Sequence, residues 1–291
     1  MARVPQTNSY ILGPHDPFKK LYLLHPGDPP LLKSLDFGGR GGDNCVFDPD
    51  DNSAFYILGR DSLHRVSTNP LRITDTLELG YSIMPLSYLR YDHKNDALIA
   101  VRTLTDKIFV IDRRSLTVLR QLPFPTGTIV KNAWLDATHG KLFVTGNSII
   151  GWKMIVYDTT TWTVIHENHW FSPSIFNFII DPQGRKGYLG SILAGFVYVI
   201  DLDSLEVLES FFLGIGTRGF NFDPLRRLFI ATSQFDGRLH IYDVDKRTFV
   251  AHPFIGKRGR WNVVDLESRR WFLTSSVGGF AIDPELLLSE Q

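Results

Sequence analysis

A single cysteine, Cys45, stands in the whole chain, so no intramolecular disulfide can staple it and no cysteine cluster can hold zinc. The missing bridge is compatible with either side of a membrane. No run of 18 uncharged apolar residues occurs, and the first eight residues, Met1 to Asn8, have no apolar signal core. The expectation is a soluble chain with no membrane span and no signal peptide, for which a cytoplasmic location is favoured. Net charge is missing too. The 31 Lys and Arg balance 31 Asp and Glu, so no global attraction operates towards a polyanion or a membrane surface, and a charge-driven partner must meet a local patch. Nucleic acid is disfavoured as a partner for that reason, although Trp152, Trp170 and Phe171 are of the type that stacks bases. There is no G-x-S-x-G elbow, P-loop or dinucleotide fingerprint; the "GGRGG" at Gly38 to Gly42 follows one strand-like run and precedes another rather than a helix. Serine-nucleophile, nucleotide-hydrolysing and nicotinamide chemistries are thereby disfavoured.

What the chain does have is a repeat. Six segments align on one aspartate each: Asp48, Asp92, Asp136, Asp181, Asp223 and Asp265, at spacings of 44, 44, 45, 42 and 42 residues. A second register, Asp112, Asp158, Asp201, Asp243 and Asp283, runs through the same units. Each unit holds four short runs rich in Val, Ile, Phe, Tyr and Leu, broken by Asp, Pro, Asn, Gly and Arg, which is the punctuation of strands rather than helices. We call these runs strands a to d. The aspartates close strands a and c, where a carboxylate accepts backbone N–H bonds from the turn that follows. A four-stranded unit of this length cannot bury both faces alone, so units must stack, and radial stacking gives an all-β fold, the β-propeller. Bulky aromatics inside the strands fit the wedge between splayed blades.

Repeats start near residues 44, 87, 132, 177, 221 and 262. The preceding segment, about 1–40, offers three more strands, Ser9 to Gly13, Lys20 to His25 and Leu31 to Phe37. Seven four-stranded blades in one domain over 1–291 is therefore the expectation, with six blades and an N-terminal extension as the alternative. Because the last unit fades at "ELLLSEQ", ring closure between the termini is expected, with the extreme N-terminus supplying or pairing an edge strand of the last blade.

The unit "DPQGRKGYLGSILAGFVYVIDLDSLEVLESFFLG", Asp181 to Gly214, resembles the YVTN-type propeller repeat, in which a D-P-x-G turn precedes Tyr-Val and a V-x-V-I-D strand follows. The resemblance covers most of the chain from Asn44 onward. The naming tetrapeptide departs from the pattern here, as "GYLG" at Gly187 to Gly190, "FVTGN" at Phe143 to Asn147 and "FIATS" at Phe229 to Ser233. That family is defined by its scaffold rather than by a reaction, so the resemblance implies a fold and leaves function to the site.

Function on such a scaffold belongs to loops. The d-to-a and b-to-c loops share one face, and on it the sequence places Arg40, Lys131, Arg218, Lys257, Arg258 and Arg260 from inter-blade loops, with Arg60, Arg102, Lys107, Lys153 and Arg238 from b-to-c loops. Only Asp43, Asp61, Asp106 and Asp236 oppose them, an excess of +7 that leaves −7 for the rest of the chain. Converging guanidinium forks suit a carboxylate or phosphate, so the first reading is a non-catalytic scaffold or binding module, without a cofactor, that offers this basic face to an acidic protein surface or a small anion. Solvated loop charge is the plainer explanation of the same residues. "GKRGR", Gly256 to Arg260, is the densest element, its glycines letting backbone N–H groups approach a ligand.

A second reading rests on the asparagines that open strand a: Asn44, Asn132, Asn177, Asn221 and Asn262. Strand a borders the axis, so these amides could hold ordered water or a hard cation such as Ca2+. A metal-assisted hydrolase or lyase, similar in layout to gluconolactonase-like propellers, would draw its ligands from Asp43, Asn132, Asn177 and Asn221. Asp43 is the only carboxylate placed at that lip, and a hard dication usually takes more than one; capping of the strand start is the alternative role. "HENHW", His166 to Trp170, is the one histidine cluster, but strand alternation puts His166 and His169 on opposite faces, which does not chelate.

Overall fold

The computed structural model describes residues 2–4, 9–12, 20–25, 29–36, 45–59, 61–80, 87–102, 107–124, 129–148, 151–170, 175–259 and 262–289. These residues form seven antiparallel sheets in which each strand pairs with the next in sequence. The first sheet holds β1 (Ala2–Arg3), β2 (Tyr10–Leu12), β3 (Lys20–His25) and β4 (Leu31–Asp36). The second holds β5 (Cys45–Asp48), β6 (Asp51–Leu58), β7 (Ser62–Thr68) and β8 (Leu71–Glu78), and the third β9 (Ser87–Asp92), β10 (Ala97–Arg102), β11 (Lys107–Asp112) and β12 (Thr117–Pro123). In the fourth are β13 (Ile129–Asp136), β14 (Lys141–Ser148), β15 (Gly151–Asp158) and β16 (Val164–Trp170); in the fifth, β17 (Ile175–Asp181), β18 (Lys186–Ser191), β19 (Phe196–Asp201) and β20 (Val207–Phe212). The sixth comprises β21 (Thr217–Asp223), β22 (Leu228–Ser233), β23 (Leu239–Asp243) and β24 (Thr248–Ala251), and the seventh β25 (Asn262–Asp265), β26 (Arg270–Ser275) and β27 (Gly278–Ile282), followed by a short helix, α1 (Pro284–Ser289). The fold is a seven-bladed β-propeller, and the six-blade alternative is set aside.

The N-terminus corrects one expectation. Ala2 and Arg3 pair with Ile11 and Tyr10 as the first strand of their own sheet, rather than serving the last one. The seventh sheet has three strands among the described residues, and Leu287 and Leu288 of α1 pack against the cluster formed by Ile230, Ile241, Trp271 and Leu273.

The chain divides into two compact units, Met1–Val144 with Val156–Ile165, and Thr145–Ile155 with His166–Gln291. Each builds its core between successive sheets. In the first unit Tyr56, Leu63, Leu98, Phe109 and Ile111 join the second and third sheets. All six residues of β10 and all six of β22 are buried, whereas β20, the last strand of its sheet, is exposed or half-buried throughout. Apolar side chains on both parities of an inner strand and on one parity of an outer strand are what a sheet flanked by two others requires.

The aspartate register is explained by its turns. Asp48 Oδ1 accepts from Asp50 N, Asp92 from Lys94 N, Asp136 from His139 N, Asp181 from Gly184 N, Asp223 from Leu225 N and Asp265 from Glu267 N, all at 3.0–3.3 Å. The second register does the same: Asp112 takes Ser115 N, Asp158 Thr160 N, Asp201 Asp203 N and Asp243 Asp245 N. Four residues after the aspartate the chain turns left-handed, at Asp96, Arg185, Arg227 and Arg269 in one register and Leu116, Trp162, Leu205 and Arg247 in the other, with φ from +49° to +65°. Gly140 occupies the equivalent place after Asp136, where the lack of a Cβ spares the turn its strain.

The two registers differ in burial. Asp92, Asp181 and Asp223 are fully inaccessible, whereas in the second register Asp112, Asp158 and Asp201 are half-buried, Asp283 is exposed and Asp243 alone is buried. A buried carboxylate needs donors, and for Asp48, Asp181 and Asp223 the neighbouring sheet supplies one. In the first unit Arg113 of the third sheet reaches Asp48 of the second. In the other, Arg227 reaches Asp181 at 2.6 Å and the Trp271 indole N–H reaches Asp223 at 2.9 Å. These three anchors therefore fasten blade to blade as well as turn to strand.

Candidate functional site

The loop end of the Thr145–Ile155 and His166–Gln291 unit carries the candidate site. Arg218 lies half-buried on β21, and its Nη1 is 3.4 Å from Gln234 Oε1. The Gln234 carbonyl in turn accepts from Arg258 N at 3.0 Å. Gln234 thus brings Arg218 beside the Gly256 to Gly259 loop, where the Lys257 and Arg258 side chains are exposed. Arg258 has a φ of +60°, and Gly256 beside it one of +96°, so the loop turns sharply at both residues and projects its cations. Arg238 is exposed on the same end and donates to the His252 carbonyl at 2.7 Å. The carboxylate among them is Asp236, whose Oδ2 is 3.3 Å from His240 Nε2. Burial works against its ionised form, but bonds from Ser233, Arg238 and His240 outweigh that and hold Asp236 below the ordinary carboxylate range.

The other residues expected from sequence fare differently. Arg40, Arg260, Asp43, Asn44, Arg60, Asp106 and Phe171 lie outside the described residues. Lys131 is on β13 in the other unit, half-buried, with its carbonyl accepting the Tyr88 hydroxyl. Two further cations are not solvated loop charges. Arg102 is buried at the end of β10 and donates to the Gly80 carbonyl, and burial lowers its pKa. Lys153 is buried and paired with Glu167, which also accepts from His169 at 3.0 Å. Glu167 and His169 sit on one face of β16, as alternation requires. Trp152 is buried too, which withdraws it from any stacking surface.

The asparagines are staples between sheets. Asn177 donates to the Arg218 carbonyl at 2.9 Å while its own Oδ1 accepts from Phe178 N at 3.1 Å. Asn221 repeats this one sheet on, donating to the Asn262 carbonyl at 3.2 Å and accepting from Phe222 N at 2.9 Å. Asn262 donates to the Gly219 carbonyl at 2.9 Å. Asn132 is buried in β13. A hard cation would have to share the Oδ1 atoms of Asn177 and Asn221 with backbone N–H groups. Among the described residues no three His, Cys, Asp or Glu side chains are grouped to hold a metal ion.

One polar pair escaped the sequence reading. His240 Nδ1 lies 2.9 Å from His252 Nδ1, with the rings edge to face. Burial lowers the pKa of both; for His240 the Asp236 carboxylate opposes this and the second imidazole adds to it. The signal was in the register. Ile241 pairs with Ala251 and Arg238 bridges to Phe254, so the same hairpin sets His240 opposite His252.

No protein-family model matches the chain, and no curated protein does. Among solved structures, it is similar over 97% of its length to Kuenenia stuttgartiensis hydrazine synthase, with a TM-score of 0.78, 11% identity and 94% of that chain covered. It is also similar over 97% of its length to a chain of a mitotic checkpoint complex, with a TM-score of 0.74, 12% identity and 88% of that chain covered. At such identities what is held in common is the backbone arrangement, and these comparisons establish this chain as a β-propeller.

Proposed function

We propose that this chain is a non-catalytic binding module that offers a basic loop end to an acidic protein surface or a small anion, on a scaffold of the YVTN repeat type. The turn chemistry of the repeat supports the second part, since D-P-x-G at Asp181 closes its hairpin through Gly184 N. The observation that carries the first is the loop end of the last three sheets. Arg218, Arg238, Lys257 and Arg258 lie on those loops and strand ends with one carboxylate among the described residues there, Asp236, which faces His240. Lys257 and Arg258 are exposed and make no ion pair among the described residues. By sequence, Arg260 would extend the patch. Metal-assisted hydrolysis at Asp43, Asn132, Asn177 and Asn221 has less support, because the two best-described amides are already spent between sheets.

The test is a salt series with polyglutamate as the acidic probe. Binding should weaken steadily as salt rises, and K257E/R258E should weaken it roughly tenfold at low salt while flattening the dependence. Binding that ignores both salt and charge reversal ends the proposal.

A further inference from the structure

The same loop end carries a row of exposed apolar side chains built to a regular plan. Phe212, at the end of β20, lies over Gly195 in the turn between β18 and β19, where an added Cβ would come within 2.8 Å of its ring. Ile215 follows in the linker. Phe235, in the turn between β22 and β23, covers Gly216 of that linker, within 2.5 Å of where a Cβ would be. Phe254, beyond β24, covers Gly237 at 2.8 Å, and Val277, between β26 and β27, covers Gly256 at 2.8 Å. Each step thus rests a side chain on a bare backbone belonging to the preceding turn or linker. The backbone locks the same steps, with Gln234 N donating to the Gly216 carbonyl, Ile255 N to Gly237 and Ser276 N to Lys257.

Phe212, Phe235, Phe254 and Val277 are fixed from below, and these four and Ile215 are open above. All are more than half exposed, Val277 to 71%. Taking about half of the ~200 Å² that an aromatic side chain can bury, and less for Ile215 and Val277, the row leaves on the order of 400 Å² of apolar surface, the size of the largest apolar patch on a typical monomer, which is often functional. Arg238, Lys257 and Arg258 belong to the same turns, and Asp236 is the only acid among them. A neutral apolar partner would leave those cations unmatched, and a purely acidic one would leave the row wet.

We infer that the occupant of this row is an extended segment of a partner protein in which acidic residues alternate with apolar ones, the apolar side chains lying along Phe212, Ile215, Phe235, Phe254 and Val277 and the carboxylates meeting Arg238, Lys257 and Arg258. This rests on the reading of the basic loop end as a binding surface and adds the partner's chemistry to it.

Fluorescence anisotropy on the full chain tests the inference with three labelled dodecapeptides: glutamate alternating with leucine, glutamate with serine, and serine with leucine. The Glu/Leu peptide should bind roughly tenfold more tightly than either control, since two buried apolar contacts are worth on the order of that factor. F235S/F254S should abolish its advantage over Glu/Ser without changing Glu/Ser binding. Should that variant not fold, V277S at the most exposed step should reduce the same advantage. Equal binding of Glu/Leu and Glu/Ser overturns the inference while leaving the basic surface intact. Loss of salt-dependent binding by every acidic peptide, with K257E/R258E silent, overturns the underlying reading instead. Serine/leucine binding as tight as Glu/Leu, or a dimer of the chain itself that F235S/F254S dissociates in sedimentation, assigns the row to another occupant and also overturns it.

Discussion

Arg113 Nη1 sits 2.6 Å from Asp48 Oδ1, and both side chains are almost wholly buried. The arginine leaves the turn after β11 and reaches back to the turn after β5, so one guanidinium ties the third sheet to the second. It also holds Asp50 at 2.5 Å and Asp96 at 2.6 Å. Hydrogen bonds to Asp96, with Asp50 adding to them, raise the Arg113 pKa against the cost of burial, and the same contact lowers Asp96. Asp48 keeps Arg65 at 3.0 Å and the Tyr56 hydroxyl at 2.9 Å, so removing Arg113 does not strip it entirely. R113L should cost about 3 kcal/mol, the lower end for a broken buried pair. R113K should recover only part, because one ammonium cannot serve three carboxylates fanned around a planar fork. Urea denaturation midpoints at pH 7 decide it.

The two aspartate registers make a paired prediction. D181A removes a fully buried carboxylate that Arg227 contacts and that caps Gly184, leaving a guanidinium without that partner; about 2–4 kcal/mol should be lost. D201A removes two turn hydrogen bonds, to Asp203 N and Ser204 N, at a half-exposed site; water replaces the carboxylate there, and about 1 kcal/mol should be lost. Equal losses in chemical denaturation would mean that turn capping, rather than blade-to-blade attachment, is the main work of the buried register.

Arg269 sits at φ +56° in an exposed turn, at the place Gly140 takes in the fourth sheet. A left-handed conformation costs a non-glycine residue about 1–2 kcal/mol, and a new glycine gives back part of that through the unfolded chain. R269G should therefore stabilise the protein by about 0.5–1 kcal/mol, seen as a higher melting temperature.

Gly190 faces the ring of Phe220, and a Cβ there would fall 2.0 Å from it. Phe220 is itself held edge-on against Phe229, so it has little room to retreat. G190A should destabilise by about 1–3 kcal/mol. F220L, which shortens the obstructing side chain, should make the same glycine-to-alanine change less costly in a double-mutant cycle.

His240 and His252 give a pH dependence of definite sign. Burial sets both pKa values below the ordinary 6.5, so in the native state both stay neutral in a range where the unfolded chain takes up protons. Their contribution to stability is complete above 6.5 and falls as pH drops from 6.5 towards the lowered native values. Melting temperatures between pH 7.5 and 5.5 should decline, and H240Q/H252N should flatten that decline. An unchanged slope in the variant would place the proton uptake elsewhere.

How far the sequence could be read follows from the range of each interaction. The strands, the hairpin turns and six of the repeats came from the aspartate spacing, because a carboxylate two or three residues from the N–H it accepts writes its geometry into a handful of adjacent positions; the seventh came only from the apolar runs that precede the first of them. The departure of "GYLG" from the YVTN pattern has a steric reason that no motif displays: Gly187 and Gly190 make room for Phe178 and Phe220. Arg102 and Lys153, counted among the loop charges, prove buried, since a strand end and a loop are indistinguishable to a count of charges. The His240 and His252 pair was legible only through the hairpin register.

The sequence by itself determined the repeating sheets and the aspartate-closed turns, which depend on local hydrogen bonds and on apolar residues at both parities of the inner strands. Tertiary structure alone decided which donor reaches which buried carboxylate. Arg113 and Asp48 are 65 residues apart in the chain, and no rule of spacing brings them together. It also decided that Phe212, Phe235, Phe254 and Val277 form one row. Such meetings are set by the distance at which one twisted sheet stacks on the next, a property of packing and not of neighbours in sequence.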